Sequence, residues 1–590
     1  MKEFVKTILA VICAFIILRL LRLIFFFIIL GSAMVGETSK LPRSGVLDLD
    51  MSGFALAEQT QDAAPDAMSL LSGGSMVPAV GLRDAIKALE EAALDPGVKY
   101  VLLRADGLDT GMAQLEEFRL ALNRFRESGK AVVAYTENPG NGSYYLASVA
   151  DKVLMGAQHG GTPQLLGLSS QLMFLKDILD KVGVHVQLIR HGKYKSAGEM
   201  YIRSSASPEN REQTQVMINS LWKTFSAEIA AARGLSEEDF NALVDNLALN
   251  FPEDFLQAGL VDEVVDHEAL VAKLCTLAMV EDVKDLHLIP FVDYVDAKVS
   301  ESPARSNVAV IYADGEIVEG KGLTDIAGDR FVQVIDQVRK DKTVKAVVLR
   351  VNSPGGSVSA SVKIREALDL LMKEKPLVAS YGNYAASGGY WISNGCQKIY
   401  SDRNTITGSI GVFSMIPEFS EVAKKVGVGI EMVSSNKHSD MLSLMRPFDA
   451  AEEAFMQASV EDIYESFVNL VAESRGQEPA AIDAIAQGRV WTGADALSLG
   501  LVDEIGNLES AIAYAASLAD FHSSDEYLVC EYPAPISPFQ QLMMQLSGTG
   551  SEPTILSDTP FAALGPAVSA LKANQPGIVY ARLPYALDIR

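Results

Sequence analysis

The chain repeats itself. The run Lys99-Tyr-Val-Leu-Leu-Arg104 recurs 246 residues later as Lys345-Ala-Val-Val-Leu-Arg350. At the same offset Ser143-Tyr-Tyr-Leu146 faces Gly389-Tyr-Trp-Ile392, and Asp151-Lys-Val153 faces Gln397-Lys-Ile399. Farther on, Val186-Gln-Leu-Ile189 faces Ile430-Glu-Met-Val433 at an offset of 244, and Gly259-Leu-Val-Asp-Glu-Val264 faces Gly500-Leu-Val-Asp-Glu-Ile505 at 241. A slowly falling offset is what small deletions leave between divergent copies of one domain. Whatever this chain folds into is therefore built twice. Its 590 residues also exceed what one hydrophobic core organises. The reading is a first domain at 45–270 and a second at 305–520. A segment 1–44 precedes them, a connector spans 271–304 and a tail runs over 521–590.

Each copy alternates short apolar runs with longer stretches of helical spacing, which predicts an α/β fold. In the second copy, strands are predicted at Val308–Tyr312, Ala346–Leu349, Leu377–Ser380, Lys398–Tyr400 and Ile430–Val433. Helices are predicted at 327–341, 359–374, 384–394, 415–426 and 449–475. In the tail, Pro533, Pro535 and Pro538 and the Gly/Ser-rich Ser547–Ser551 predict extended chain. The final Gly577–Arg590 is apolar enough to dock as a strand or cap.

The N-terminus adds a membrane segment. From Ile8 to Val35 the residues are almost all apolar, and as helix they would span roughly 42 Å against a hydrocarbon layer of roughly 30 Å. Arg19 and Arg22 interrupt the run, and charge at mid-bilayer is costly, which favours a span near Leu20–Gly36. Lys2, Lys6, Arg19 and Arg22 all precede the last apolar stretch, so the positive-inside rule puts the N-terminus in the cytoplasm and the body outside. A cleaved signal peptide is the competing reading. The balance of 50 basic to 75 acidic residues, a net charge of −25, repels phosphate backbones and excludes nucleic acid as the natural partner. Cys13, Cys275, Cys396 and Cys530 are too far apart for a metal or redox pair, so neither a metal site nor a disulfide framework is indicated, and no cofactor is called for.

Three glycine-rich motifs in the second copy can carry chemistry. Asn352-Ser-Pro-Gly-Gly-Ser357 follows a predicted strand and precedes a helix, a place where backbone N–H groups converge and can hold an oxyanion. It lacks the Gly-Lys-Ser/Thr ending of a phosphate loop. Tyr384-Ala-Ala-Ser-Gly-Gly-Tyr390 puts Ser387 at a helix start, either as a nucleophile or as one of several small residues that let the helix pack on the sheet. Thr407-Gly-Ser-Ile-Gly411 puts Ser409 between glycines with no histidine or acid nearby. A serine hydroxyl is nearly inert without a base, so each candidate must be asked where its base lies.

The repeat answers for Ser409. Where the second copy has Ser409, the first has Gly161-Thr-Pro-Gln-Leu165, without a serine. Where the second has Pro-Gly-Gly, the first has Leu108-Asp-Thr-Gly111. Conversely the first copy carries Gly192-Lys-Tyr-Lys-Ser-Ala197, whose Lys195 faces Ser439 of the second. Complementary loss is expected when two fused copies share one site. Lysine serves as a base if burial lowers its pKa so that it is neutral. Lys193 is the competitor two residues away.

Taken together, Asn352–Ser357, Ala385-Ala-Ser-Gly-Gly-Tyr390, Thr407–Gly411, Tyr194-Lys-Ser-Ala197 and the ending Gly577-Ile-Val-Tyr-Ala-Arg582 resemble the signal peptide peptidase A (protease IV) family, peptidase family S49, in its long tandem-domain bacterial form. That resemblance implies tandem Clp-protease/crotonase-like domains with an N-terminal transmembrane helix. It implies a serine endopeptidase in the bacterial inner membrane, its catalytic body on the periplasmic side, which degrades hydrophobic signal peptides after their release from preproteins. It implies Ser409 as nucleophile, Lys195 as general base and proton donor, the backbone N–H groups of Gly356 and Ile410 as oxyanion hole, Ser434 as a residue orienting the lysine, and a homotetramer.

Three rivals remain in view. A Clp-like Ser-His-Asp peptidase using Ser387 needs a histidine within reach, and no histidine lies between Ser387 and His438. A crotonase-type acyl-CoA enzyme also uses glycine turns, but an extracytoplasmic body has no ready access to CoA. A non-catalytic membrane scaffold leaves Ser409, Lys195 and the Pro-Gly-Gly turn without a purpose.

Overall fold

The apolar runs that mark the repeat become parallel strands covered on both faces, the burial for which near-continuous Val/Leu/Ile runs are suited. In the computed structural model the described residues are Arg19, 41–60, 77–299 apart from 160 and 162, 307–534 apart from 324, and 579–583. The expected membrane anchor and most of the expected tail lie outside them. Among the described residues no helix is long and apolar enough to cross a membrane.

From Ser44 onward the chain forms one unit. Its first sheet runs in the order Glu263–Val265, Lys152–Gly156, Val132–Thr136, Val98–Arg104, Gly45–Asp50, Leu288–Pro290, with every pairing parallel. The second contains the corresponding series Glu504–Ile505, Ile399–Ser401, Leu377–Ala386, Ala346–Ser353, Val308–Asp314, Val529–Tyr532, again parallel throughout. The strand order therefore repeats along with the sequence. In the second sheet Leu377–Ala386 runs on past its neighbour Ile399–Ser401. It pairs there with Ile406–Gly408, which in turn pairs antiparallel with Val490–Thr492. This extension supports the site.

Charge as well as apolar surface joins the repeats. Arg350, fully buried, is bonded by its Nε to Glu58 at 2.7 Å and by Nη2 to Glu117 at 2.6 Å, both carboxylates coming from the first repeat. Ser380 Oγ and the Tyr381 carbonyl accept from its Nη1. A buried guanidinium is tolerated only when its donors are met in this way.

A third sheet is built from both repeats, in the order Ile326–Ala327, Ile317–Val318, Gly355–Ser357, Tyr580–Arg582, Val412–Glu418, His185–His191. Its last pairing is antiparallel and runs unbroken from Val412 opposite His191 to Glu418 opposite His185. Three predictions change here. The expected helix 415–426 begins as strand, and only Ser420–Lys425 is helical, because a partner from the other repeat claims Val412–Glu418. The expected helix 384–394 is strand up to Ala386 and helix only over Gly388–Ser393. Ile430–Val433, expected as a buried strand, is irregular and exposed, with Val433 at 95%. Its counterpart 186–189 is paired by Val412–Glu418, and among the described residues no strand does the same for Ile430–Val433. The expected docking of the chain end is seen at Tyr580–Arg582, one strand of this third sheet.

Candidate active site

Ser409 follows directly from the Ile406–Gly408 strand. Its N–H donates to the Arg489 carbonyl at 2.7 Å, its φ is +50°, and its side chain is fully buried. Left-handed backbone at a residue with a Cβ costs roughly 1–2 kcal/mol. Such outliers collect where the surrounding structure holds a group for use. Ser387 is a second case. It sits between the Leu377–Ala386 strand and the Gly388–Ser393 helix with φ 56° and ψ −111°, also fully buried.

Both hydroxyls face one amine. The His185–His191 strand, held antiparallel to Val412–Glu418, delivers the chain to Gly192, where it turns. The Tyr194 N–H donates to the Gln487 carbonyl at 2.9 Å. Lys195 then points inward, with Nζ 3.0 Å from Ser409 Oγ, 3.1 Å from the Ser409 carbonyl oxygen and 2.8 Å from Ser387 Oγ. The Lys195 carbonyl accepts from Arg190 Nη1 at 2.6 Å, and Arg190 is paired with the buried Glu199. Gln213 Nε2 donates to the Tyr194 carbonyl at 2.9 Å and to Ser196 Oγ at 3.0 Å. Residues 487–489 bind both halves, since the Gly488 N–H donates to the Ile410 carbonyl at 2.7 Å while Gln487 and Arg489 accept from Tyr194 and Ser409. Gly488 is required there, because a Cβ at its φ of +77° would lie 2.5 Å from Lys195 Cβ.

Burial sets the charge state of this amine. Lys195 is fully buried, and desolvation pushes its pKa well below the ordinary lysine value, with the positive charge of Arg582 adding to the effect. Lys193, the competitor, is exposed with its amine over the Tyr194 ring. Among the described residues no histidine bonds to Ser387, whose Oγ has Lys195 Nζ and, at 3.4 Å, the Gly411 carbonyl as partners.

The Pro-Gly-Gly turn is a short strand, Gly355–Ser357, between Ile317–Val318 and the terminal Tyr580–Arg582. Gly355, at φ +97°, lets that last strand approach, since a Cβ would lie 2.1 Å from the Ala581 carbonyl oxygen. Gly356 is close to the elbow at Ser387: a Cβ on Gly388 would be 3.1 Å from the Gly356 nitrogen. Tyr580 packs with Phe413, Met415, Ala197 and Tyr201, and Leu583 with Met217, Leu221, Ala386 and Ile406. The segment Tyr580–Leu583 thus lies along the glycine turn, with Tyr580 and Leu583 in separate apolar clusters.

The structure brings Ser409, Ile410, Lys195 and Ser387 together, across 214 residues between lysine and Ser409. It does not bring Ser434 to them. Ser434 lies in the exposed 430–436 segment, and the second hydroxyl beside the lysine, with that of Ser409, is that of Ser387, which the small-residue run favours reading as packing. Residues 487–489 had no signal in the sequence. Away from this site His438, Asp449 and Glu452 bring potential metal-ligand atoms within 4.8 Å of one another, but Arg446 already takes both Glu452 oxygens, at 2.6 and 2.7 Å.

The sequence profile of peptidase family S49 matches residues 124–281 and again 369–522. Protease 4 of Haemophilus influenzae is 33% identical over 499 residues, covering 82% of this chain and 80% of that one. Protease 4 of Salmonella typhi is 34% identical over 522 residues, 85% and 83% of the two chains. A candidate signal peptide peptidase, SppA, of Enterococcus faecium is 37% identical over 183 residues, 31% of this chain and 53% of its own.

Proposed function

Because the chain belongs to peptidase family S49 and is a serine protease, we propose that Ser409 is its nucleophile and Lys195 its general base, one contributed by each repeat. The observation that carries this is the 3.0 Å approach of Lys195 Nζ to Ser409 Oγ in a fully buried setting; Ser387 Oγ, 2.8 Å from the same amine and at the strand-to-helix elbow beside the Gly356 nitrogen, meets the same condition and is the second reading of the nucleophile. Neutral Lys195 takes the Ser409 proton as Oγ attacks the scissile carbonyl, and the resulting ammonium gives that proton to the leaving amine. Water, deprotonated by the same lysine, then hydrolyses the acyl-enzyme. The N–H groups of Gly356, whose nitrogen lies beside Gly388 at the Ser387 elbow, and of Ile410, the residue after Ser409, stabilise the tetrahedral oxyanion. The domain limits 45–270 and 305–520 and the Clp/crotonase-like fold are part of this reading, supported by the recurring strand order.

The substrates are hydrophobic signal peptides. The name of the Enterococcus relative supports this. The apolar run 8–35 anchors the chain in the inner membrane with the body on the periplasmic side. The protein assembles as a homotetramer, and the exposed apolar series Val426, Val428, Ile430, Met432 is surface that such an assembly covers. The test is cleavage of a hydrophobic fluorogenic peptide in detergent. Ser409→Ala and Lys195→Ala each abolish turnover, and normal activity in either refutes the pair.

A further inference from the structure

The two repeats are each other's control, and at one end of their sheets they differ. The chain enters the first sheet at Gly45, whose N–H donates to the Gly97 carbonyl at 2.9 Å, while the Val46 N–H donates to the His287 carbonyl at 2.9 Å. Around this end stand the close of the Leu82–Leu94 helix, the close of the His267–Ala278 helix and the turn Val283–Asp285. Lys99 Nζ donates to the Ala278 carbonyl and ties the second helix to the strand beside Gly45. The second repeat builds the same parts, with the helices Gly328–Lys340 and Leu508–Ser517 and the turn Ser524–Glu526. At three matched positions the chemistry inverts. Leu94, Met279 and Val283 are 81%, 89% and 57% exposed. Their counterparts are Lys340 at an offset of 246 and Asp520 and Ser524 at 241. Met279 and Asp520 share left-handed backbone, with φ 54° and 65°, so the local geometry is common and only the side chain differs. Leu277 and Leu518 are apolar in both copies, and exposed Leu528 stands where the first copy has His287, so the contrast is confined to those three positions.

A single exposed apolar side chain needs no explanation. Leu94, however, takes a last-turn place where a cation gains from the helix dipole, as Arg339 and Lys340 do in the second repeat, and the first-repeat helix has no basic residue in that turn. Leu288, also exposed and paired with Val46, brings a further apolar side chain to the entry strand. What distinguishes this end from its twin is the chain that arrives there. Nine residues, 36–44, separate Gly45 from the apolar run 8–35, and fully extended they reach about 30 Å at most. The entry strand of the second sheet, Val308–Asp314, has no comparable run before it. We propose that the Gly45 end of the first sheet rests on the bilayer that holds the run 8–35, with Leu94, Met279 and Val283 set into the lipid headgroup layer. This rests on the reading of 8–35 as the membrane segment and adds which face of the body meets lipid. Glu281, Asp282 and Asp285 are exposed there against one lysine, Lys284, so anionic headgroups are repelled and the face fits zwitterionic lipid. Apolar insertion rather than charge holds it.

The experiment reconstitutes the full chain into phosphatidylcholine vesicles, with and without lipid carrying a nitroxide at its headgroup, after one fluorophore has been placed on a cysteine. Leu94→Cys and Met279→Cys report on the face, and Lys340→Cys and Asp520→Cys on its counterpart. Each carries Cys13→Ser, since Cys275, Cys396 and Cys530 are buried. Native Cys13, labelled alone and read against a nitroxide deep in the lipid chains, reports on the apolar run itself. Side chains seated about 5–10 Å into the headgroup boundary lie within the nitroxide's reach, so quenching at 94 and 279 should exceed that at 340 and 520 about threefold. Met279→Asp with Val283→Ser, which installs the second repeat's residues, should cut the quenching at 94 by about half, because it removes apolar area that seats the face. Tm and peptide turnover in detergent should stay at the wild-type level in that variant. Quenching at Cys13 with no excess at 94 and 279 overturns the lipid contact and leaves the membrane segment standing. No quenching at Cys13 removes the membrane segment, and this inference with it. An unquenched probe at 279 whose emission shifts as the protein-to-lipid ratio rises assigns the face to a second copy and overturns the proposal.

Discussion

Gly488→Ala tests how tightly the two repeats must be registered for the lysine to work. Gly488 has φ +77°, and an added Cβ would stand 2.5 Å from Lys195 Cβ and 2.7 Å from both its Cα and its backbone nitrogen. Carbon atoms settle at about 3.5 Å or more, so roughly 1 Å must open. The obstacle is backbone rather than a flexible side-chain end, so either Lys195 or the 487–489 segment moves as a whole. Each movement breaks the site, because Gln487 and Arg489 carry the carbonyls that hold Tyr194 and Ser409. Displacement on that scale takes Lys195 Nζ out of hydrogen-bond range of Ser409 Oγ and costs about 100-fold in kcat, about 2.7 kcal/mol of barrier. Strain in the left-handed region adds about 1–2 kcal/mol of lost stability. Gly476→Ala is the control. Gly476 caps the Ala450–Arg475 helix at φ +62° with nothing within 4 Å of an added Cβ, so this variant carries strain without the collision. Peptide cleavage and urea unfolding are measured on both. If Gly488→Ala keeps more than half of wild-type kcat while Gly476→Ala shows its stability loss, the claim that residue 488 spaces the lysine is wrong.

Arg350→Met leaves Glu58 and Glu117 buried without their cation and should cost about 3–5 kcal/mol in urea unfolding; a loss below about 1 kcal/mol contradicts an interface held by that charge. The pH–rate profile should rise through a limb far below the ordinary lysine value of about 10.4, since burial favours the neutral base; a limb at that ordinary value rejects Lys195 as a desolvated base. The same shift predicts that stability falls as pH drops from the unfolded-state lysine pKa towards the folded one, because only the unfolded chain then binds the proton. Lys195→Met should flatten that slope and raise Tm near neutral pH, and a lower Tm speaks against it. Burial, with Glu117 and Glu116 nearby, raises the Asp402 pKa well above its usual range. The folded state therefore holds a proton that the unfolded state releases, so wild-type stability declines as pH rises above about 4 relative to Asp402→Asn. Equal Tm differences at pH 5 and pH 8 would sink this.

Much of the architecture was legible because it is local. Val308–Asp314, Ala346–Ser353 and Leu377–Ala386 are apolar runs in a parallel sheet, and Ala450–Arg475 carries its own start signal, with Asp449 accepting from Ala451 and Glu452. The strands of the third sheet were misread for the opposite reason. Val412–Glu418 has a helix-like spacing that loses to seven residues of pairing with His185–His191, and Ile430–Val433, outside that sheet, has a strand pattern but no strand paired with it among the described residues. Of the proposed site, Ser409 and Lys195 could be named from motifs and from what each repeat lacks and Gly356 and Ile410 from the family resemblance, whereas Ser434, expected to orient the lysine, lies away from it and Ser387 stands beside the amine.

The sequence by itself determined that the domain is built twice, that each copy is α/β, and that a serine and a lysine survive in different copies, because hydrophobic periodicity and internal identity are properties of neighbouring residues. The tertiary structure alone decided that these residues meet. A contact across 214 residues depends on one antiparallel register, on glycine at 488, and on a hydroxyl at 387 beside the amine. None of those has a periodicity to read. Their effect arises from burial, which removes water from Lys195 and leaves its proton to be placed by three oxygen atoms.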